Sequence, residues 1–338
     1  MNALHKSACA TIIGAGSWGT ALAIVLAPRF DRIRLWAVEA DLVERMAATR
    51  INDVFLPGFT LPANVEPASD MGAALRDAEV VIGVMPSRFA RVLYQAMLPH
   101  LHPGMRFVSA TKGLESGTLL RMSEVGRQVI SEEFAPRIAV LSGPTFAREV
   151  ARGEPTALVI SSEEAELAAS IQREFSGPTF RLYTNDDPVG VEIGAALKNI
   201  IAIGAGICQG LGLGNNTLAA LITRGLAEIT RLAVALGGSP GTLSGLAGLG
   251  DLVLTCTGEL SRNRSVGIEL AKGRSLAEIV GSMKMIAEGV ETTSAAVDLA
   301  RKHHVDMPIA EQMDAILSGR RSPRDAIREL MDRSLKTE

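Results

Sequence analysis

One lysine of the 338-residue chain lies in an unusually apolar stretch. Lys198 is the only basic residue between Arg181 and Arg224, and it sits within the mainly apolar segment 191–201. Burial lowers the pKa of an ammonium group towards the range that is useful for acid–base chemistry. Reduction of a carbonyl requires a proton donor beside its oxygen, so Lys198 is a candidate for that donor. The alternative is a lysine that extends its ammonium group to solvent.

Two further segments carry residues that could act together with such a lysine. Lys112 follows a predicted strand, at the carboxyl edge where doubly wound sheets bind ligands. Asp251 and Thr255 are four residues apart, so they share one face if the segment is helical. The alternatives are a solvated loop lysine for Lys112 and a helix N-cap for Asp251.

A compact group of hydrogen-bond donors follows at 261–264, where the sequence reads SRNR. Arginine presents a planar fork and asparagine an amide, and both suit a phosphate group. The segment could equally form a surface turn. Together with the two lysines, it allows a small anionic substrate although the chain as a whole is weakly negative.

Residues 14–19 read GAGSWG, a GxGxxG pattern between a predicted strand and a predicted helix. Gly14 permits a tight turn, Gly16 lets the backbone approach a pyrophosphate, and Gly19 lets the helix pack closely on the strand. The N-terminus of the helix faces the negative charge. The pattern therefore predicts dinucleotide binding, with an ordinary glycine-rich turn as the alternative.

An acidic residue about 20 positions after this turn would accept hydrogen bonds from the adenosine ribose. Glu39 is 20 residues after Gly19 and follows the next predicted strand. A carboxylate there repels a 2′-phosphate, so we predict that NAD(H) binds better than NADP(H). The alternative is that Glu39 only begins the helix of Asp41, where the helix dipole favours acidic residues.

Short apolar runs alternate with helical patterns over the first half of the chain. Strands are predicted at 9–14, 32–37, 80–85, 106–110, 138–141, 157–161 and 179–183, and helices at 17–27, 88–98, 119–131 and 163–175. This alternation favours an α/β fold with a doubly wound, parallel, Rossmann-like sheet.

Beyond Pro188 the pattern becomes mainly helical and rich in small residues. We therefore predict a dinucleotide-binding domain at 1–188 and an all-helical substrate-binding domain at 189–338. The uncharged stretch 199–223 exceeds the ~18 residues of a membrane span. Its many glycines favour a closely packed helical core instead, so no membrane span is expected.

Composition excludes several functional classes. A net charge of −3 and only two Trp and two Tyr argue against nucleic-acid binding, and 47% hydrophobic residues exclude a disordered chain. Cys9, Cys208 and Cys256 form no CxxC motif, and the five histidines form no ligand set. We therefore expect reduced buried thiols and no metal site. Because the first twenty residues do not match a signal peptide, we also expect a soluble cytoplasmic protein.

Taken together, these motifs resemble the NAD(P)-dependent glycerol-3-phosphate dehydrogenases of bacteria and eukaryotes. The matching blocks are GAGSWGTA (14–21), FLPG (55–58), LPANV (61–65), TKG (111–113), SGPTFAREV (142–150), GVEIGAALKNIIAIGAGI (190–207), TRGLAEI (223–229), GLAGLGDLVLTC (245–256), SRNR (261–264) and AEGVETT (287–293). Because so many blocks occur in one order, a chance match is a poor explanation.

The resemblance implies reversible hydride transfer between the nicotinamide and C2 of dihydroxyacetone phosphate. It implies that Lys198 takes the proton in oxidation and returns it in reduction, that Lys112 lies between cofactor and substrate, and that Asp251 holds Lys198 and the substrate hydroxyls. The implied substrate-binding residues are Lys112, Gly143, Thr145, Lys198, Asp251, Ser261, Arg262 and Asn263. Besides the glycines and Glu39, the implied cofactor contacts are Ser17, Trp18, Phe89, Lys112, Ala147, Arg262, Ile286 and Glu288. A homodimer and supply of glycerol 3-phosphate for phospholipid synthesis are further family expectations.

Three positions depart from the family pattern. Val38 stands where many bacterial members carry Arg or His, a basic residue that suits a 2′-phosphate, so its presence beside Glu39 favours NAD(H). Thr145 replaces a frequent Ser and keeps the hydroxyl, whereas Phe55 replaces a more usual Tyr and loses one. A β-hydroxyacid dehydrogenase, which also has a helical domain with a catalytic lysine, and a non-catalytic NAD-binding sensor are the alternative functions.

Overall fold

A single twisted sheet organises the first half of the chain. In the residues that this computed structural model describes, 7–283 and 287–334, eight strands pair in the order β3-β2-β1-β4-β5-β6-β7-β8. The strands are β1 (Ser7–Ile13), β2 (Phe30–Trp36), β3 (Val65–Ala68), β4 (Val80–Gly83), β5 (Arg106–Ser109), β6 (Arg137–Ser142), β7 (Thr156–Ser161) and β8 (Phe180–Asn185). The order runs outwards in both directions from β1 and β4, which is the switch point where doubly wound sheets bind ligands.

Helices cover both faces of this sheet. Ile12 and Ile13 are adjacent in β1 and fully buried, yet they belong to separate apolar cores, because successive strand residues point to opposite faces. The helices of this half are α1 (Ser17–Leu26), α2 (Ala40–Thr49), α3 (Met71–Leu75), α4 (Ala90–Met97), α5 (Met122–Ile130), α6 (Ala147–Ala151) and α7 (Ala165–Phe175). The predicted α/β, Rossmann-like architecture is confirmed.

Two features of the sheet differ from the prediction. Among the described strands, β6 and β7 pair antiparallel and the other neighbouring pairs are parallel. Their connection contains only the five-residue α6 rather than a full crossover helix. The sequence pattern also misses β3, since it contains Pro67 and is only four residues long. Proline is tolerated there because β3 lies at the edge of the sheet.

The second half of the chain is helical and is built around one long buried helix. Its helices are α8 (Pro188–Gly210), α9 (Asn215–Ala235), α10 (Pro240–Leu243), α11 (Asp251–Thr257), α12 (Arg262–Ala271), α13 (Leu276–Ser282), α14 (Glu288–Lys302), α15 (Pro308–Leu317) and α16 (Pro323–Met331). Among the described residues, α8 is the one helix long and apolar enough to cross a membrane, and its apolar window is entirely buried within the fold. It is therefore a core helix of this protein.

Glycines let α12 pack backbone against backbone on α8. A Cβ atom on Gly206 of α8 would lie 1.9 Å from the carbonyl oxygen of Arg264, and one on Gly267 of α12 would lie 2.0 Å from that of Ile203. Larger residues would push the two helices apart. The first turn of α12 is consequently held against the middle of α8, where Lys198 lies.

Candidate active site

Lys198 points its ammonium group into the protein rather than to solvent. The residue is 5% exposed, and its Nζ donates hydrogen bonds to Thr255 Oγ1 (2.9 Å) and to Asp251 Oδ1. Burial lowers the pKa of Lys198 to about 7; the Asp251 carboxylate opposes this shift, and the charge of Lys112 adds to it. An amine with a pKa near 7 can both give and accept a proton at neutral pH.

Asp251 connects the two lysines. Its carboxylate is fully buried, with Oδ1 accepting from Lys198 and Oδ2 accepting from Lys112 Nζ at 2.7 Å. Asp251 is the first residue of α11 and not its N-cap, which is Gly250. One turn later, Thr255 lies on the same face and contacts Lys198, as the spacing of four predicts.

Lys112 connects this cluster to the carboxyl edge of the sheet. It follows β5, and its Nζ also donates to the carbonyl oxygen of Gly143 (3.2 Å) and to Thr145 Oγ1 (3.4 Å), both just after β6. Gly143 has φ +146°, and a Cβ there would lie 3.0 Å from Cα of Leu158. The carboxyl ends of two strands therefore meet α11 around one buried carboxylate.

The SRNR segment begins a helix instead of forming a surface turn. Ser261 is the N-cap of α12, and its hydroxyl accepts from the Arg264 amide (3.3 Å). Asn263 is buried and donates from Nδ2 to Asn199 Oδ1 (3.0 Å), while its Oδ1 accepts from the Gly289 amide (3.0 Å). Asn199 is the chain neighbour of Lys198, so the start of α12 lies beside the proton-donor candidate.

Arg262 and Glu288 face each other near this helix start. Although Arg262 is exposed, protein atoms crowded around its guanidinium lower its pKa, and Glu288 opposes that shift. Glu288 is the first residue of α14 and accepts a hydrogen bond from Ser87 Oγ (3.0 Å). Burial raises the pKa of Glu288 to about 7. Ser87 and Glu288 thus link the sheet half of the chain to the helical half.

The glycine turn has the geometry required to hold a pyrophosphate. Gly14 has φ +115°, and a Cβ on Gly19 would lie 1.9 Å from the Gly14 carbonyl oxygen, so both positions require glycine. In contrast, a Cβ on Gly16 would meet nothing within 4 Å. The helix α1 begins immediately afterwards at Ser17, so its N-terminus lies beside this open space. The turn therefore fits a dinucleotide.

Trp18 adds an unused hydrogen-bond donor next to the turn. Its indole Nε1 is buried without a hydrogen-bond partner among the described residues. Buried polar groups in proteins are normally paired, so an unpaired donor at a ligand site indicates a group that is supplied by a ligand or by water. This observation is consistent with the dinucleotide fit.

The outer residues that the sequence predicts as cofactor contacts follow the ends of several strands. Glu39 is exposed at the N-cap position of α2, and its side chain makes no capping hydrogen bond to that helix. Its neighbour Val38 is 71% exposed. Phe89, after β4, is also exposed, and the Arg88 guanidinium lies 4.6 Å from the centre of its ring. Ala147 begins α6, whereas Ile286 lies outside the described residues.

Sequence reasoning missed two residues of this arrangement. Asn199 lies 5% exposed on α8 and contacts Asn263, and its position directly after Lys198 in an apolar run was the available signal, because a buried amide needs partners. Ser87 had no comparable signal, since its partner Glu288 is 201 residues away. The three cysteines are buried free thiols, and the described residues contain no group of potential metal ligands.

Comparison with known proteins agrees with this geometry. The family models for the N-terminus and the C-terminus of NAD-dependent glycerol-3-phosphate dehydrogenase match residues 9–168 and 187–328. The glycerol-3-phosphate dehydrogenase [NAD(P)+] of Koribacter versatilis is 59% identical over 97% of this chain and 98% of its own, and that of Syntrophotalea carbinolica is 52% identical over the same shares. The crystal structure of glycerol-3-phosphate dehydrogenase from Coxiella burnetii has a TM-score of 0.91 at 41% identity, covering 97% of this chain and 99% of that one. The chain therefore belongs to the NAD-dependent glycerol-3-phosphate dehydrogenase family, a family of NAD(P)-dependent oxidoreductases.

Proposed function

We propose that the protein catalyses the reversible reduction of dihydroxyacetone phosphate to sn-glycerol 3-phosphate, with Lys198, Lys112 and Asp251 as its catalytic residues. The observation that carries this proposal is the buried cluster in which one carboxylate holds both lysines at the carboxyl edge of the sheet. The names of relatives as much as 59% identical support the choice of substrate.

In this mechanism Lys198 gives a proton to the C2 oxygen of dihydroxyacetone phosphate and takes it back in the oxidation of glycerol 3-phosphate. When bound, the nicotinamide supplies or accepts the hydride at C2. Asp251 holds the Lys198 ammonium by a hydrogen bond and keeps Lys112 beside the substrate. Burial of the cluster excludes water and strengthens these electrostatic contacts.

We assign the substrate phosphate to Ser261, Arg262 and Asn263. The phosphate is remote from C2, so its binding energy can orient the carbonyl for hydride attack. We also assign Gly143 and Thr145 to the substrate site, because both contact the Lys112 ammonium. In this proposal, residues after the sheet strands and residues at the start of α12 both contact the substrate.

The dinucleotide is assigned to the glycine turn and to the strand ends beside it. The proposed contacts are Gly14, Gly16, Ser17, Trp18, Gly19, Glu39, Phe89, Lys112, Ala147, Arg262, Ile286 and Glu288. Glu39 follows β2, and its carboxylate makes no capping hydrogen bond to α2. The preceding residue, Val38, is not basic. A 2′-phosphate at this position would meet the Glu39 carboxylate and would find no basic side chain at position 38, so we propose that NAD(H) is preferred.

The cofactor proposal is tested by measuring kcat/KM of the wild-type enzyme with NADH and with NADPH. We expect a higher value with NADH, and we expect Glu39→Ala to narrow the difference because it removes the repelling carboxylate. A clear preference for NADPH in the wild-type enzyme would refute this part of the proposal.

The proposal also covers the domain boundaries, location, oligomeric state and metabolic role of the protein. We propose domains at 1–188 and 189–338, a cytoplasmic location, a homodimer, and a role in supplying glycerol 3-phosphate for phospholipid synthesis. Support for the domains comes from β8, which ends at Asn185, and from α8, which begins at Pro188.

The function is tested by following NADH absorbance after dihydroxyacetone phosphate is added. Oxidation of NADH that depends on this substrate is the expected result. Turnover of hydroxy acids without turnover of the triose phosphate would favour a β-hydroxyacid dehydrogenase, and NADH binding without any turnover would favour a sensor.

A further inference from the structure

We propose that Asn52 is a positioning residue for the cofactor, because its buried side chain orients the peptide group between Ala15 and Gly16 in the glycine turn. Asn52 lies in the loop between α2 and β3, outside the GxGxxG motif. The inference rests on the proposed binding of a dinucleotide at this turn and extends it to a residue that does not touch the ligand.

The side chain of Asn52 uses both of its amide protons on the turn and on the helix that follows it. Asn52 is fully buried, and its Nδ2 donates to the carbonyl oxygen of Ala15 (2.8 Å) and to Thr20 Oγ1 (2.8 Å). Its Oδ1 accepts from the Phe55 amide (2.9 Å). Because an amide has only two N–H donors, the donor capacity of Asn52 is fully committed to Ala15 and Thr20.

The contact with Ala15 determines where the next amide points. In a trans peptide the C=O and the following N–H point in opposite directions, and the described residues contain no cis peptide bond. Asn52 and, at the longer distance of 3.3 Å, the Thr20 hydroxyl hold the Ala15 carbonyl towards the protein interior, so the Gly16 N–H is directed away from it. Open space surrounds Gly16 on the side that its missing Cβ would occupy. This is the arrangement that a pyrophosphate requires from backbone donors.

The loop that carries Asn52 is itself firmly held. The Arg50 guanidinium donates to the carbonyl oxygens of Leu61 (3.3 Å) and Val65 (2.9 Å), which closes the base of the loop. At its tip, Ser17 Oγ donates to the carbonyl oxygen of Phe55 (2.6 Å). The loop is therefore attached both to the sheet and to the first residue of α1, and Asn52 transmits that rigidity to the turn.

The substitution Asn52→Asp tests this inference with little change of shape. It replaces both N–H donors with an oxygen and puts a negative charge beside the Ala15 carbonyl, which then turns away. The dissociation constant (Kd) of NADH, measured by fluorescence titration, should rise roughly 10- to 100-fold, the factor by which loss of a group that orients a metal ligand weakens metal binding. ADP-ribose, which keeps the pyrophosphate but lacks nicotinamide, should lose affinity by the same factor. The kcat at saturating NADH and the KM for dihydroxyacetone phosphate should change little.

Asn64 provides a matched control. Its Nδ2 also donates to two backbone carbonyl oxygens, those of Ala27 (2.8 Å) and Phe30 (2.9 Å), but these lie at the far end of α1. Asn64→Asp should lower the melting temperature without changing the Kd of NADH or ADP-ribose. Asn52→Ala, which removes the donors without adding charge, should reproduce the weaker binding if Asn52→Asp does not fold.

The possible outcomes separate this inference from the proposed function. Wild-type protein that fails to bind NADH would overturn both. Wild-type protein that binds and turns over, together with Asn52 variants of unchanged Kd, would overturn only the role of Asn52. An unaffected Kd for ADP-ribose, or loss of the fold in both Asn52 variants while Asn64→Asp folds, would also overturn it, because Asn52 would then serve the fold and not the turn.

Discussion

At the scale of single residues, the proposed chemistry depends on the protonation state of one buried amine, Lys198. Desolvation of Lys198 outweighs the attraction of Asp251, and the pKa of Lys198 falls to about 7. The isolated lysine in an apolar run predicts this burial from sequence. Its partner Asp251 is 53 residues further along the chain, so the ion pair itself follows only from the fold.

The lowered pKa of Lys198 predicts opposite pH dependence in the two directions. Reduction needs the protonated amine, so kcat/KM for dihydroxyacetone phosphate should be constant below pH ~7 and fall above it. Oxidation needs the neutral amine and should rise through the same range. Asp251→Asn removes the carboxylate that raises the pKa of Lys198, so the midpoint of both profiles should move to lower pH. Profiles in which the midpoint is unchanged by this substitution would contradict the assignment.

Arg262 should matter for substrate binding more than for the chemical step. Removal of a charged hydrogen-bond partner costs ~1.5–3 kcal/mol, so Arg262→Ala should raise KM for dihydroxyacetone phosphate about 10- to 100-fold. The control is Arg274→Ala. Arg274 is exposed, lies just after the end of α12 and forms an ion pair with Glu269 of that helix. If both variants keep the wild-type KM, the phosphate does not bind at Arg262.

At the scale of elements, the glycines at the contact between α8 and α12 determine how the proposed phosphate-binding residues are placed. Gly267→Ala would place a Cβ 2.0 Å from the Ile203 carbonyl oxygen, so we expect a loss of about 1–3 kcal/mol in the free energy of unfolding. Because α12 carries Ser261 and Asn263, KM for dihydroxyacetone phosphate should rise as well.

The matched control for this prediction is Gly281→Ala in α13. A Cβ at Gly281 would meet nothing within 4 Å, so this change should leave the protein equally stable or stabilise it by up to ~1 kcal/mol. Urea unfolding of both variants provides the comparison. Equal stability of the two variants would show that the α8–α12 contact tolerates a side chain.

Local sequence patterns account for most of the elements but not for all of them. Apolar runs such as 80–85 predict β4 because a strand buried on both faces reads as continuous hydrophobicity. The pattern does not reveal β3, whose Pro67 is acceptable only at a sheet edge. It also does not reveal that β7 and β8 run opposite to β6, since alternation carries no information about strand direction. Asn52 was missed for a related reason: its partners belong to another segment.

At the scale of the whole molecule, the proposed active site lies where the two halves of the chain meet. A second contact between the two halves involves Glu192 of α8, which is buried. Its carboxylate accepts hydrogen bonds from Arg121 Nη1 (2.6 Å) and Ser123 Oγ (2.6 Å) at the start of α5. Removal of one partner from a buried ion pair is strongly destabilising, so this contact fixes α8 against the start of α5. Lys198 lies on the same helix and shares the Asp251 carboxylate with Lys112 of the sheet half.

The most direct test of the account is the turnover of Lys198→Ala with dihydroxyacetone phosphate and NADH. We predict that kcat falls roughly 10²- to 10⁴-fold, the usual contribution of a general acid, while the Kd of NADH stays at the wild-type value. Lys272→Ala, an exposed lysine paired with Glu269, should keep the wild-type kcat. A Lys198→Ala enzyme with near-normal turnover would contradict the central claim that this buried amine moves the proton.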